Sequence, residues 1–169
     1  ATFFIRARDR YSNKRTEGGD PFRIILAGVQ TLKLPAVDLS TGLYSVSYTP
    51  QIAGEYEGEI RFGDSLVNGK AYKIQIAAGP IDGTRCTASG VGSEATAGIS
   101  FTFAVQARDK FGSRRLSGGD QFVVRMKLED DNSTFTNYTD SLSDGDYRAS
   151  LLPRGTGRFT VYVFLKLIS

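Results

Sequence analysis

The chain has 169 residues, Lys plus Arg at 21 against Asp plus Glu at 18, and 40% hydrophobic residues, a balance that suits a folded protein rather than a disordered one. It holds no His, no Trp, one Cys and one Met. That excludes His-dependent acid–base and nucleophile chemistry, any intrachain disulfide, and a zinc site built from Cys and His. A net charge of +3 in a well-mixed chain is no nucleic-acid footprint, and no apolar run approaches the ~20 residues of a membrane span. No cofactor is implied.

The first residues, Ala1-Thr2-Phe3-Phe4-Ile5-Arg6, lack the charged leader and long apolar segment of a signal peptide. They begin without Met as an alternating strand, so the chain reads as an excerpt of a longer protein. Asp9 ends that strand, as Asp109 ends a later one, and each is placed to cap the loop that follows. Gly18-Gly19-Asp20 then forms a turn, the glycines permitting positive φ and the Asp20 carboxylate accepting from nearby backbone amides. The next strand, Phe22 to Ala27, points Phe22, Ile24 and Leu26 inward and Arg23, Ile25 and Ala27 outward by its period of two. Tyr44 opens a later strand after a Gly turn, and Pro50 closes it because Pro cannot donate to a ladder. Tyr56, and later Phe159, each begin a strand expected to run through the middle of the core. Residues 71–77 alternate Tyr72, Ile74 and Ile76 against Lys73 and Gln75.

The same order recurs. ARDRYSNKRTEGGDPF at 7–22 matches ARDKFGSRRLSGGDQF at 107–122, Tyr44 to Pro50 matches Tyr147 to Pro153, and Gly54-Glu55-Tyr56 matches Gly157-Arg158-Phe159. Three extra residues lie between Phe122 and Tyr147. The chain is therefore two homologous domains, 1–79 and 80–169, hinged at Ala78-Gly79-Pro80. Short strands, frequent turn signals and no sustained helical period make each an all-β sandwich.

Several residues invite function. Cys86 alternates with Arg85 and Thr87 in the first strand of the second copy and reads as a small core residue, a reactive thiol being the alternative. Asn132-Ser133-Thr134 and Asn137-Tyr138-Thr139 have the form of N-glycosylation acceptors, which matters in a secreted chain. The loops carrying Arg10, Lys14 and Arg15, and Lys110, Arg114 and Arg115, read as solvated, with contact to an acidic partner as the alternative. Glu129, Asp130, Asp131, Asp140, Asp144 and Asp146 fit no EF-hand spacing and read as an acidic surface rather than a metal site.

The strand ending in Ala-x-Asp, the Gly-Gly-Asp-x-Phe turn, Asp38 to Tyr44 as Asp-x-x-x-Gly-x-Tyr, Tyr48-Thr49-Pro50 and Gly54-Glu55-Tyr56 together resemble filamin-type immunoglobulin-like repeats. So do residues 84–92, TRCTASGVG. The resemblance covers essentially the whole chain, twice. It implies two tandem immunoglobulin-like β-sandwiches. Within it, the first copy lacks a first strand that the second has at Gly83 to Ala88, and the second lacks a last strand that the first has at Ala71 to Ala77. Gly69-Lys70-Ala71-Tyr72 stands where the family usually has Gly-Ser-Pro-Phe.

Such domains commonly take a partner peptide as an added strand between their third and fourth strands. The third strands here are Phe22 to Ala27 and Phe122 to Leu128. That assigns Arg23, Ile25 and Ala27 to an apolar groove and Val123, Arg125 and Lys127 to a more basic one. The implied role is non-catalytic: a segment of a larger cytoskeletal or scaffold protein that binds peptide strands or neighbouring domains, without nucleic acid and without membrane insertion in this segment. An ectodomain of a gamete-type adhesion protein and a docking domain of a ciliary or motor-associated assembly are the alternatives. A cytoplasmic location is favoured over the cell surface.

Overall fold

A computed structural model describes residues 1–130, 133–142 and 144–166. The chain divides into two compact units, Ala1–Ile76 and Ala77–Ser169. Among the described residues, every regular element apart from one short 3-10 turn, Val67–Gly69, is a strand.

In the first unit, alternation puts one face of each strand out of water, and antiparallel pairing satisfies the backbone. One sheet is β1 (Thr2–Arg6) on β5 (Leu43–Ser47) on β4 (Val37–Asp38). The other runs β3 (Leu32–Leu34), β2 (Phe22–Gly28) and β6 (Gly54–Phe62), with β7 (Ser65–Leu66) and β8 (Tyr72–Ile76) both on the far side of β6. Ile5, Ala7, Tyr44 and Val46 from the first sheet meet Ile24 from the second, with Phe3, Phe22, Leu34, Ala36 and Ile60 packed around them. Burying each large side chain contributes roughly 1.5–3 kcal/mol.

The second unit repeats the plan. One sheet is β9 (Thr87–Ser89), β10 (Phe101–Gln106), β14 (Asp146–Leu151) and β13 (Asp140–Ser141), in that spatial order. The other is β12 (Thr134–Tyr138), β11 (Gln121–Leu128) and β15 (Phe159–Lys166). Phe103, Val105, Ala107, Tyr147, Ala149 and Leu151 face Phe122, Val124 and Met126 across the core. The tandem sandwich architecture read from the sequence is what the structure has.

Three expectations need correction. The first strand of the second copy was expected over Gly83 to Ala88, but only Thr87–Ser89 is strand. Asp82 holds the preceding residues in a turn, its carbonyl accepting from Arg85 and Cys86 N–H and its carboxylate from Thr84. Cys86 therefore precedes the strand, half-buried against the core, its thiol donating to Asp82 O at 3.3 Å. Secondly, Phe159 was expected to begin a central strand as Tyr56 does. β6 is central, but among the described residues β15 pairs only with β11 and forms an edge.

Thirdly, Asp20 makes no Asx turn. Its carboxylate accepts from the Tyr44 hydroxyl at 2.8 Å and pairs with Arg15 at 3.2 Å, while its N–H donates back to Tyr44 Oη. Asp120, Tyr147 and Arg115 repeat the arrangement. The recurring Arg, Gly-Gly-Asp and Tyr are thus one device that ties the turn before the third strand to the opposite sheet. The glycine before each tyrosine strand is required by shape. Gly42 and Gly145 have φ of 65° and 76°, and a Cβ there would strike the carbonyl of Arg15 or Arg115.

Candidate interaction surface

Period two works as read. Ile24 and Leu26 are buried while Arg23 and Ala27 are exposed and Ile25 is half-buried, and Phe122, Val124 and Met126 are buried while Arg125 is exposed and Val123 and Lys127 are half-buried. The six outward residues therefore lie on the outer faces of the β2 and β11 sheets. The strand edges beside them are another matter. β3 pairs β2 at Ile24, Ile25 and Leu26, and β12 pairs β11 from Val123 to Lys127. The groove expected between the third and the fourth strands is thus closed by their own pairing. The chain's own next strand occupies it, for three residues in the first unit and five in the second. Among the described residues the unpaired edges of these sheets lie one strand out, at β3 and β12, and on the opposite side at β8 and β15.

The two outer faces differ in chemistry. In the first unit Ile25 lies between Lys33 and Glu59, Ala27 beside Glu57, and Glu57 opposite Lys73. Arg61 pairs Glu59 at 2.8 Å and Arg23 pairs Asp64 at 3.2 Å, so this face neutralises itself. At its end Ala27, Tyr56, Glu57, Lys73 and Ile74 line a shallow groove of about 450 Å³. In the second unit Val123 lies between Tyr138 and Phe164, and Arg125 between Thr136 and Tyr162. Arg125 sits over the Phe164 ring and Lys166 over the Tyr138 ring, 5.5 and 5.4 Å from the centroids.

Asn137 is exposed on β12, but it stands opposite Val124 and so on the inward side of its strand. Its Nδ2 donates to Ser150 O at 2.9 Å, bridging toward β14, and Thr139 Oγ1 lies beside the Phe122 backbone. Asn132 and Asp131 lie outside the described residues.

The basic loops are turned toward their own unit. Arg15 and Arg115 serve the aspartates already named, and Arg115 Nη1 also donates to Gly79 O at 2.9 Å. Arg114 joins Asp144 and Asp146 at 3.0 and 2.9 Å, which also occupies part of the acidic surface. Arg10 and Lys110 lie over the rings of Tyr11 and Phe111. A cleft of about 680 Å³ in the second unit has Phe101, Met126, Phe159 and Val161 among its walls, and its charged lining residues are Glu94 and Arg158. Opposite charges without a second carboxylate do not make a hydrolytic pair. No cluster of metal-ligating side chains occurs among the described residues.

Asp109 caps the loop after its strand as the sequence reading has it, but nothing in its own motif sets it apart from Asp9. Asp109 is buried, and its carboxylate accepts the backbone N–H groups of Gly79, Phe111 and Ser113 at 2.9 Å each. Burial alone would push its pKa up, but backbone amides of Gly79, Ser113, Phe111 and Gly112 outweigh that and hold it below the ordinary 3.8. Asp9 makes the matching loop bonds to Tyr11 and Asn13 yet is exposed. The available signal was the repeat itself: Asp109 has Gly79 to Asp82 ahead of it in the sequence, next to a strand that the first copy does not show.

No protein-family model matches the chain. Filamin-C of Rattus norvegicus and of Mus musculus are each 26% identical over 151 residues, covering 86% of this chain but 5% of the relative. The chain thus spans about one-twentieth of their length. Among solved structures, the Escherichia coli adhesin FdeC aligns with 97% of this chain and 53% of its own, at 20% identity and a TM-score of 0.61. The bacterial integrin-binding protein invasin aligns with 96% of this chain and 32% of its own, at 14% identity and a TM-score of 0.58. Identities this low speak to fold alone. In sequence the chain is similar to filamin along most of its length, and in architecture it is an immunoglobulin-like repeat module of two tandem β-sandwiches.

Proposed function

We propose that the chain is a non-catalytic docking segment of a larger cytoskeletal or scaffold protein, binding extended partner polypeptides through the β2 and β11 sheets. The observation that carries this is the pair of regular outer faces with an apolar residue at the centre of each, Ile25 and Val123, flanked by unpaired strand edges. A peptide adding as a strand would join at β3 or β12 rather than at β2 or β11, since those positions are filled. Affinity would come from main-chain hydrogen bonds at the β3 or β12 edge, and selection from partner side chains that fold back over the outer face to Arg23, Ile25, Ala27, Val123, Arg125 and Lys127, one strand in. The similarity to filamin supports the same reading.

Both apolar residues face outward, so Ile25→Asp and Val123→Asp should leave the fold intact and weaken partner recovery from the native parent protein by roughly tenfold or more each. Recovery unchanged by both substitutions would sink the docking role.

A second reading is favoured by the exposure of Asn137 in an acceptor triplet. In it, the segment belongs to a glycosylated ectodomain. Natively expressed protein would then lose mass on glycosidase treatment, and an unchanged mass would exclude that version.

A further inference from the structure

We propose that the outer face of the β12–β11–β15 sheet in the second unit is a docking surface for an acidic, extended polypeptide segment. This deepens the docking role proposed above and rests on it. The register builds the face in rows: Tyr138–Val123–Phe164, then Thr136–Arg125–Tyr162, then Thr134–Lys127–Thr160, with Lys166 beside Gln121 at one end. Tyr138, Tyr162 and Phe164 are 52%, 42% and 44% exposed, a large apolar area to leave in water.

The charges on these rows are Arg125, Lys127 and Lys166. The carboxylate that continues β11's outward period is Glu129, which meets the last row at its edge by accepting from Thr160 Oγ1 at 3.0 Å and leaves Arg125 and Lys166 without an acidic neighbour in the register. The equivalent face of the first unit carries Glu57, Glu59 and Arg61 in cross-strand and ion-pair contacts, so the unbalanced charge is particular to the second copy. A carboxylate-bearing partner supplies the complement.

The aromatic rings argue against a base-stacking ligand. Arg125 covers Phe164 and Lys166 covers Tyr138, so bases would have to displace both cations before stacking. A polypeptide need not displace them, because carboxylates can meet the cations where they lie. Same-side residues on an extended chain repeat every ~6.8 Å, which is also the spacing of Val123, Arg125 and Lys127 along β11. The matching segment therefore has an apolar residue followed at alternate positions by two acidic ones, in one chain direction or the other.

The test is fluorescence anisotropy on the full chain with labelled threonine-rich peptides carrying Val-Thr-Glu-Thr-Glu or its reverse. Binding of one of them, weakened by salt, is expected. Combined Arg125→Glu and Lys127→Glu should weaken it by roughly tenfold or more, and Arg125→Gln with Lys127→Gln by less. Arg6→Glu, exposed on β1 in the first unit, should leave it unchanged. The glutamine pair keeps the test valid if the double reversal disturbs folding, which a thermal melt reports.

Equal binding of the glutamine-substituted peptide would overturn the proposal, as would tighter binding of a thymidine oligonucleotide or heparin through the same residues. So would self-association of the chain abolished by the same substitutions. If peptide binding ignores Arg125 and Lys127 but fails in Ile25→Asp, this surface is wrong and the general docking role stands.

Discussion

Asp109 shows how one carboxylate can organise the start of a domain. It accepts from the loop after its strand and from Gly79, so it fastens the entering chain to the sandwich. Removing it leaves several backbone donors without their acceptor, each costing about 1–3 kcal/mol when buried. Asp109→Ala should accordingly destabilise the second unit by about 3 kcal/mol, and Asp109→Asn by somewhat less, because one oxygen remains. The pH dependence has a definite sign. A carboxylate whose pKa is depressed by folding contributes its full stability above its unfolded value near 3.8 and loses it as pH falls through the lower folded value. Thermal melts of the wild type between neutral pH and pH 2 should therefore fall more steeply below about pH 4 than those of Asp109→Asn. Parallel curves would show that the charge plays no part.

At the level of strands, the sequence displayed most of what the backbone does. Alternation located β1, β2, β8, β11 and β14 and told which side chains enter the core, because a half-buried strand cannot hide its period of two, and the Gly turn before Tyr44 with Pro50 after it located β5. The repeat revealed the Gly-Gly-Asp turn as structural before its partners were known. What alternation could not reveal was lateral pairing. β3 and β12 are short, mixed in polarity and recognisable only through their neighbour, so a groove is expected between the third and fourth strands where the two in fact pair. The three-residue insertion of the second copy lies where β12 has five residues against three in β3. The outward chemistry of Arg125 and Lys127 was readable, but Tyr138, Tyr162 and Phe164 became their neighbours only through the register. Asp20 likewise was readable as a turn residue, whereas its bond to Tyr44 spans two sheets and 24 positions of sequence.

On the scale of the whole chain, the two cores are distinct clusters, one drawn from Ile5, Ala7, Ile24, Tyr44 and Val46 and the other from residues 103–151. Burial of apolar area is the main source of cooperativity in a small domain, so each unit has its own reason to unfold as one. Val46 and Val124 are completely buried, one in each cluster. Truncating either to Ala removes two methyl groups and opens a cavity, a loss of about 2 kcal/mol. Calorimetry of the intact chain should resolve two transitions, with Val46→Ala lowering one and Val124→Ala the other. Asp109→Asn should shift the same transition as Val124→Ala, since both lie in the second unit. A single transition lowered equally by Val46→Ala and Val124→Ala would mean that the tandem folds as one cooperative body. Substitutions at Arg125 and Lys127 would then have to be judged against the stability of both repeats rather than of their own.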